Sequence, residues 1–234
     1  MKRTPIVKYS ALACALWLGL GACQNMPSSI SGVFRKQPKA GPSQVDDLLT
    51  QIERVHVECE LSKQRVREAQ ETLAAIAAPD FGGDPLVAYE QFEKAIETSE
   101  DQAKSLRARV APMRRAAEPF FDQWAADLSS FGNPAMRQRS QQRLDETRER
   151  YERIVAAVTP AQSALDAFNM SLNDCALFLG NDFNAGSVAA IANEIEAIEG
   201  LGRELEGRFD ASLAACEKYI RAAALRGQIE ESPR

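Results

Sequence analysis

Residues 48–76 read LLTQIERVHVECELSKQRVREAQETLAAI. Within them Leu48, Ile52, Val55, Cys59, Ser62, Val66, Ala69, Leu73 and Ile76 recur at alternating steps of four and three. A helix places such residues in one stripe, and the alternation is that of a coiled-coil seam. Pro79-Asp80-Phe81-Gly82-Gly83-Asp84-Pro85 ends the stripe, because two prolines and a glycine pair cannot continue a helix. Asp84 before Pro85 has the form of an N-cap followed by a first-turn proline.

Outward from this stretch the pattern repeats. A second stripe runs from Tyr89 and Phe92 through Ser99, Ala103 and Met113 to Phe120, Trp124 and Leu128, stopping at Gly132-Asn133-Pro134. A third runs from Leu144 through Tyr151, Leu165 and Cys175 to Leu179, stopping at Gly180-Asn181-Asp182. The fourth runs from Val188 through Gly202 and Phe209 to Tyr219, with Ser187 as its expected N-cap. Four stripes joined by short breaks predict an all-α fold, an elongated antiparallel coiled-coil-like bundle of four long helices running up-down-up-down. The expected helices cover about 44–78, 85–131, 135–179 and 187–226, within a bundle at 44–228 and a tail at 229–234. Helices two to four, at about 45 residues each, make a rod of roughly 65–70 Å. Pro112, Pro119 and Pro160 fall inside helices. The seam keeps its phase through each, so they are expected to kink the helices and not to end them.

The N-terminus carries a different signal. Lys2, Arg3 and Lys8 precede an apolar run, Tyr9 to Leu20, too short to span a bilayer as a lasting helix. Leu20-Gly21-Ala22-Cys23 closes it and resembles the lipobox of bacterial lipoproteins. Residues 1–22 then read as a signal peptide, and Cys23 as the lipidation site, bearing diacylglycerol and an N-acyl chain. An ordinary secretion signal and a plain N-terminal anchor are the alternatives. Cys14 lies too early for a lipobox and lacks the usual branched residue or Leu three positions before it. Gln24, not Asp, follows Cys23, which favours the periplasmic face of the outer membrane. Residues 23–43, rich in Ser, Gly, Pro and Lys, read as a flexible tether reaching about 60 Å when extended. Its Arg35-Lys36-Gln37-Pro38-Lys39 cluster is read as a solvated linker, with anionic headgroups as the other reading.

The chain of 234 residues has a formal charge of −5, and loses three cations with the signal. That balance argues against nucleic acid as a partner. Acids and bases alternate along the helices with no block of like charge, the pattern of a solvated exterior. His56 and Cys59 share a helix face beside Glu60, but no second ligand pair completes a metal site, so none is expected. No phosphate loop, nucleophile elbow or HExxH occurs, so neither a catalytic residue nor a cofactor beyond the lipid is expected. Counted flat from the turns, Cys59 falls level with Leu205, about 16 Å from Cys216. Cys175 lies near the opposite end. Three buried free thiols are therefore expected, with a Cys59–Cys216 disulfide as the alternative that register disfavours least.

Two clusters of aromatics are candidate docking sites. Phe120, Phe121, Trp124 and Phe131 lie where the shorter first helix offers fewest neighbours. Either the tether or the start of that helix covers them, or they form a partly exposed end near the anchor that docks a partner or the membrane interface. Phe81 and Phe183 sit in the loops at the other, membrane-distal end.

Phe121-Asp122-Gln123-Trp124-Ala125-Ala126-Asp127-Leu128 also carries a likeness. So do Arg139-Ser140 through Leu144, Thr147, Arg150 and Tyr151, and Leu177-Phe178-Leu179 with Asn184-Ala185. Together they resemble a family of helical lipoproteins, mostly of Gram-negative bacteria, known as a domain of unknown function. The likeness runs from about Val45 to Leu225. Such relatives often carry Lys-His where this chain has Gly180-Asn181. The resemblance implies an anchored helical protein and supplies no activity. The reading that follows is a non-enzymatic helical interaction module for an envelope protein or cell-wall component, held to the membrane by its lipid. A spacer or self-associating homo-oligomer is one alternative. A small-ligand carrier using the core beside Ser99, Ala103, Ala161 and Gly202 is the other.

Overall fold

A computed structural model of the chain describes residues 42–79 and 81–223. The signal peptide, residues 23–41 of the expected tether with Cys23, and the tail at 229–234 lie outside the described residues; the last two expected tether positions, Pro42 and Ser43, instead open the first helix. Helix α1 spans Pro42–Ala77, α2 Pro85–Asp127, α3 Pro134–Asn181, α4 Ala185–Ala190 and α5 Ala192–Ala223. A 3-10 turn at Leu128–Ser130 follows α2, and no strand occurs among the described residues. The fold is an all-α helical bundle with four long helices packed together.

The seam residues make the core. Every α1 seam position from Leu48 to Ile76 is buried, as are those of α2 from Phe92 to Phe120. Ile154 to Leu179 on α3, Ile191 in the turn after α4, and Ile195 to Tyr219 on α5 complete it. Facing pairs set the directions. Arg67 meets Glu206 at 2.6 Å, His56 approaches Glu217 at 3.8 Å, and Lys63 pairs with Asp210 between them. Numbers rise along α1 as they fall along α5, so the two are antiparallel. Arg107 with Asp166 at 2.5 Å and Arg114 with Thr159 at 2.7 Å show the same for α2 and α3. The described chain thus begins and ends at one end of the bundle, and the loops at 78–84 and 182–184 lie at the other.

Local signals set the ends. Asp84 caps α2 as expected, accepting hydrogen bonds from the N–H groups of Leu86 at 2.9 Å and Val87 at 3.4 Å. Asn133 does the same for α3. Pro112, Pro119 and Pro160 lie inside unbroken helices. The fourth helix departs from expectation. Its cap is Asn184, whose Oδ1 accepts from Gly186 and Ser187, and Ser187 is a capped residue inside the first turn. Asn is as good a cap as Ser and comes three residues earlier. The helix is also divided, with a turn at Ile191 between α4 and α5.

The small seam residues pack closely. A Cβ on Gly202 would lie 2.2 Å from Gln70 Nε2, because the Gln70 side chain covers that glycine and donates to the Glu199 carbonyl. Ser99 donates to buried Asn169 Oδ1 at 2.6 Å.

Candidate functional site

The two aromatic clusters differ in what they leave open. At the chain-entry end Phe120 and Phe121 are 3% and 4% exposed. Their rings lie 5.0 Å apart, Phe120 packs on Trp124 at 5.6 Å, and Phe121 packs on Tyr151 at 5.6 Å. Arg148 sits over the Phe121 ring at 5.3 Å. Trp124 is half-buried and donates Nε1–H to Ser140 at 2.9 Å. Phe131 is half-buried as well. Helix α1 begins early enough, at Pro42, for Ser43 and Gln44 to border the shallow depression beside Phe120. Phe120 and Phe121 are therefore core residues. Phe121 was off the seam in the sequence, and the wider face that α2 turns toward Tyr151 buries it.

The loop end is open and apolar. Phe81 and Phe183 border one groove of about 500 Å³ between the end of α1, the 78–85 loop, α4 and the start of α5. Ile76, Ala77, Val188, Ala189 and Ile195 line it, and Glu196 and Glu199 stand at its edge. Each wall has a local cause. Proline and glycine turn the chain out of α1, and the Phe81 N–H closes that turn on the Ala78 carbonyl at 3.1 Å. The Asn184 cap starts α4 directly after Phe183. Phe183 rests on Tyr89, ring centroids 6.0 Å apart, and Tyr89 donates its hydroxyl to the Ala176 carbonyl at 3.0 Å. Gly180 makes that seat: a Cβ there would stand 2.5 Å from the Tyr89 oxygen.

Further apolar surface collects at the same end. Leu86 and Val87 on the first turn of α2 are 64% and 47% exposed, and Leu177 and Phe178 near the end of α3 are 70% and 45% exposed. The sequence reading missed these four, since none lies on a seam. The signal available was an apolar pair beside each stripe at the same end of the rod.

Among the described residues no three His, Cys, Asp or Glu side chains gather as a metal-binding set. No helix of the described residues is long and apolar enough to cross a membrane. Buried His56 Nε2 has no hydrogen-bond partner. Cys59, Cys175 and Cys216 are free and buried. Burial pushes the Cys59 thiol up, and nearby Cys216 adds to the effect. Burial, with Glu217 beside it, pushes Cys216 up to about 12. Cys59 and Cys216 are thus neighbours across α1 and α5, unlike the flat count of the sequence.

A family model described as "Protein of unknown function (DUF2959)" matches residues 34–223. No curated protein and no solved structure matches the chain. The chain belongs to that family of unknown function.

Proposed function

We propose that this member of the DUF2959 family is a non-enzymatic, lipid-anchored bacterial envelope protein that docks a partner at its loop end. The observation that carries the reading is the concentration of apolar surface there. The groove beside Phe81 and Phe183 and the exposed Leu86, Val87, Leu177 and Phe178 all lie at the end away from residues 42 and 223. A soluble surface seldom gathers that much apolar area without a partner. Residues 20–23 supply the other half of the logic. Lipidation of Cys23 at the periplasmic face of the outer membrane, followed by the tether, holds the opposite end of the rod at the bilayer. The open end then faces outward from the membrane, at a reach of about 70 Å for a helix the length of α3.

The test is in-cell photocrosslinking with two labelled positions, combined with a lipidation variant. A photoreactive residue replacing Ala189 is expected to trap one partner in near-equal amount, and one replacing Ser130 at the entry end none. Cys23→Ser is expected to release the protein from membranes. Equal trapping from both positions, or self-crosslinks alone, would refute docking at the loop end. Unchanged membrane retention of the Cys23 variant would refute the lipid anchor.

A further inference from the structure

We infer that the groove takes a cationic amphipathic segment of a partner polypeptide, a helix with an apolar face bordered by Lys and Arg; this rests on the loop end being the docking end. The interior of the groove asks for apolar side chains: Ile76, Phe81, Phe183, Val188 and Ile195 form its walls. Its volume lies in the range of sites that enclose discrete apolar groups.

Charge identifies the occupant. From Ala69 to Glu93 and from Phe168 to Gly202 the chain contains ten Asp and Glu and no Lys or Arg. These two segments are far apart in sequence, and the fold brings both to the loop end. Glu71, Asp84, Glu90, Glu93, Asp174, Asp182, Glu194 and Glu196 are exposed there, and Glu199 is half-buried. Glu196 and Glu199 border the groove itself. The nearest cation on α5 is Arg203, which approaches Glu199 only to 3.8 Å. By contrast, Lys104 to Arg153, toward the entry end, holds eleven Lys and Arg against seven Asp and Glu. An acidic end of this kind attracts a cationic segment, orients it during approach and repels an anionic one. Apolar walls with an acidic rim match an amphipathic helix whose basic residues flank its apolar anchors.

The experiment uses the full chain and three fluorescent peptides of about five helical turns each. The first is an amphipathic Leu/Lys helix. The second has the same pattern with Glu for Lys. The third has the first's composition with its leucines dispersed around the helix. Binding is read by anisotropy at low and at physiological salt. The Leu/Lys helix is expected to bind at least about tenfold more tightly than either control. Salt and the double reversal Glu196→Lys/Glu199→Lys are each expected to weaken it about tenfold or more. Val188→Asp in the groove wall should do likewise, and helical content by circular dichroism verifies that each variant folds. Equal binding of the Lys and Glu helices overturns the charge assignment. Equal binding of the dispersed peptide overturns the groove, leaving a nonspecific polyanion. No binding of any peptide overturns the inference. Crosslinking from position 189, which needs no particular charge, then decides separately whether the docking end survives.

Discussion

At the scale of single residues, the core contains one polar pair whose loss is measurable. Ser99 is a small seam residue that the sequence offered as the wall of a ligand cavity; Asn169 is off the seam, and no pattern announced it. The structure fills the space with their hydrogen bond, 2.6 Å long and fully enclosed. Ser99→Ala removes the donor and leaves the Asn169 oxygen in the core, a loss of about 1–3 kcal/mol. Denaturant melts should show that loss, and Ser99→Ala/Asn169→Ala should cost less than the two single changes together. Alkaline behaviour tests the buried thiols. Cys216 has its ordinary value of 9.0 raised to about 12, and burial raises Tyr219 from 10.0 to about 12. Above about pH 9 the unfolded chain releases protons that the folded one keeps. Fewer protons on the unfolded state mean that stability falls as pH rises from about 9 to 12, and is undiminished below that window. Thermal melts should track that fall, and Cys216→Ala should flatten it.

At the scale of the helix, the seam was legible because one periodicity decides both helix and burial. The three internal prolines were legible for the same reason, since the stripe never changes phase across them. Pro160 is exposed and inside α3, where it contributes no hydrogen bond and crowds the preceding turn. Pro160→Ala is expected to raise stability by about 1–3 kcal/mol, seen as a higher Tm with unchanged helical content. What periodicity does not report is the ends of helices, where local side-chain chemistry competes. The sequence reading put the fourth cap at Ser187, and the structure has it three residues earlier, at Asn184. Asn184→Ala should therefore cost about 1 kcal/mol and loosen the groove wall it starts. Ser187→Ala should cost less through capping, because its N–H, not its side chain, takes part. Gly180 was legible only as a stop signal; that it seats Tyr89, and through it Phe183, is a contact between distant segments.

At the scale of the whole bundle, direction and order of the helices were readable from short connections, but the levels of facing residues were not. A flat count puts Cys59 opposite Leu205, which would place Lys63 opposite about Leu201. The pairs in the structure tell otherwise. Glu58 meets Gln102, Glu100 meets Asn173, Cys175 feels Glu194, and Glu199 meets Gln70. A path once around the ring, begun at Glu58, therefore returns about twelve residues further along α1, roughly 18 Å of rise. Helices inclined by about 20° in a left-handed supercoil produce such a climb, since each closest contact is made across a tilted pair. Much of that displacement already stands between α2 and α3, where Arg107 faces Asp166 and Arg114 faces Thr159, well beyond the residues that a count from their turn would bring level. The acidic end escaped notice for a related reason: its charges lie in two segments that each look sparse until the fold superposes their ends. Paired cysteines measure the register directly. Lys63 faces Asp210, so Lys63→Cys/Asp210→Cys should crosslink rapidly under mild oxidation, with an electrophoretic shift reversed by reductant. Lys63→Cys/Leu201→Cys should remain reduced. The three native thiols are buried and contribute no background while the protein is folded. Crosslinking of the Leu201 pair in place of the Asp210 pair would mean a flat, untwisted ring, and would separate Cys59 from Cys216 again.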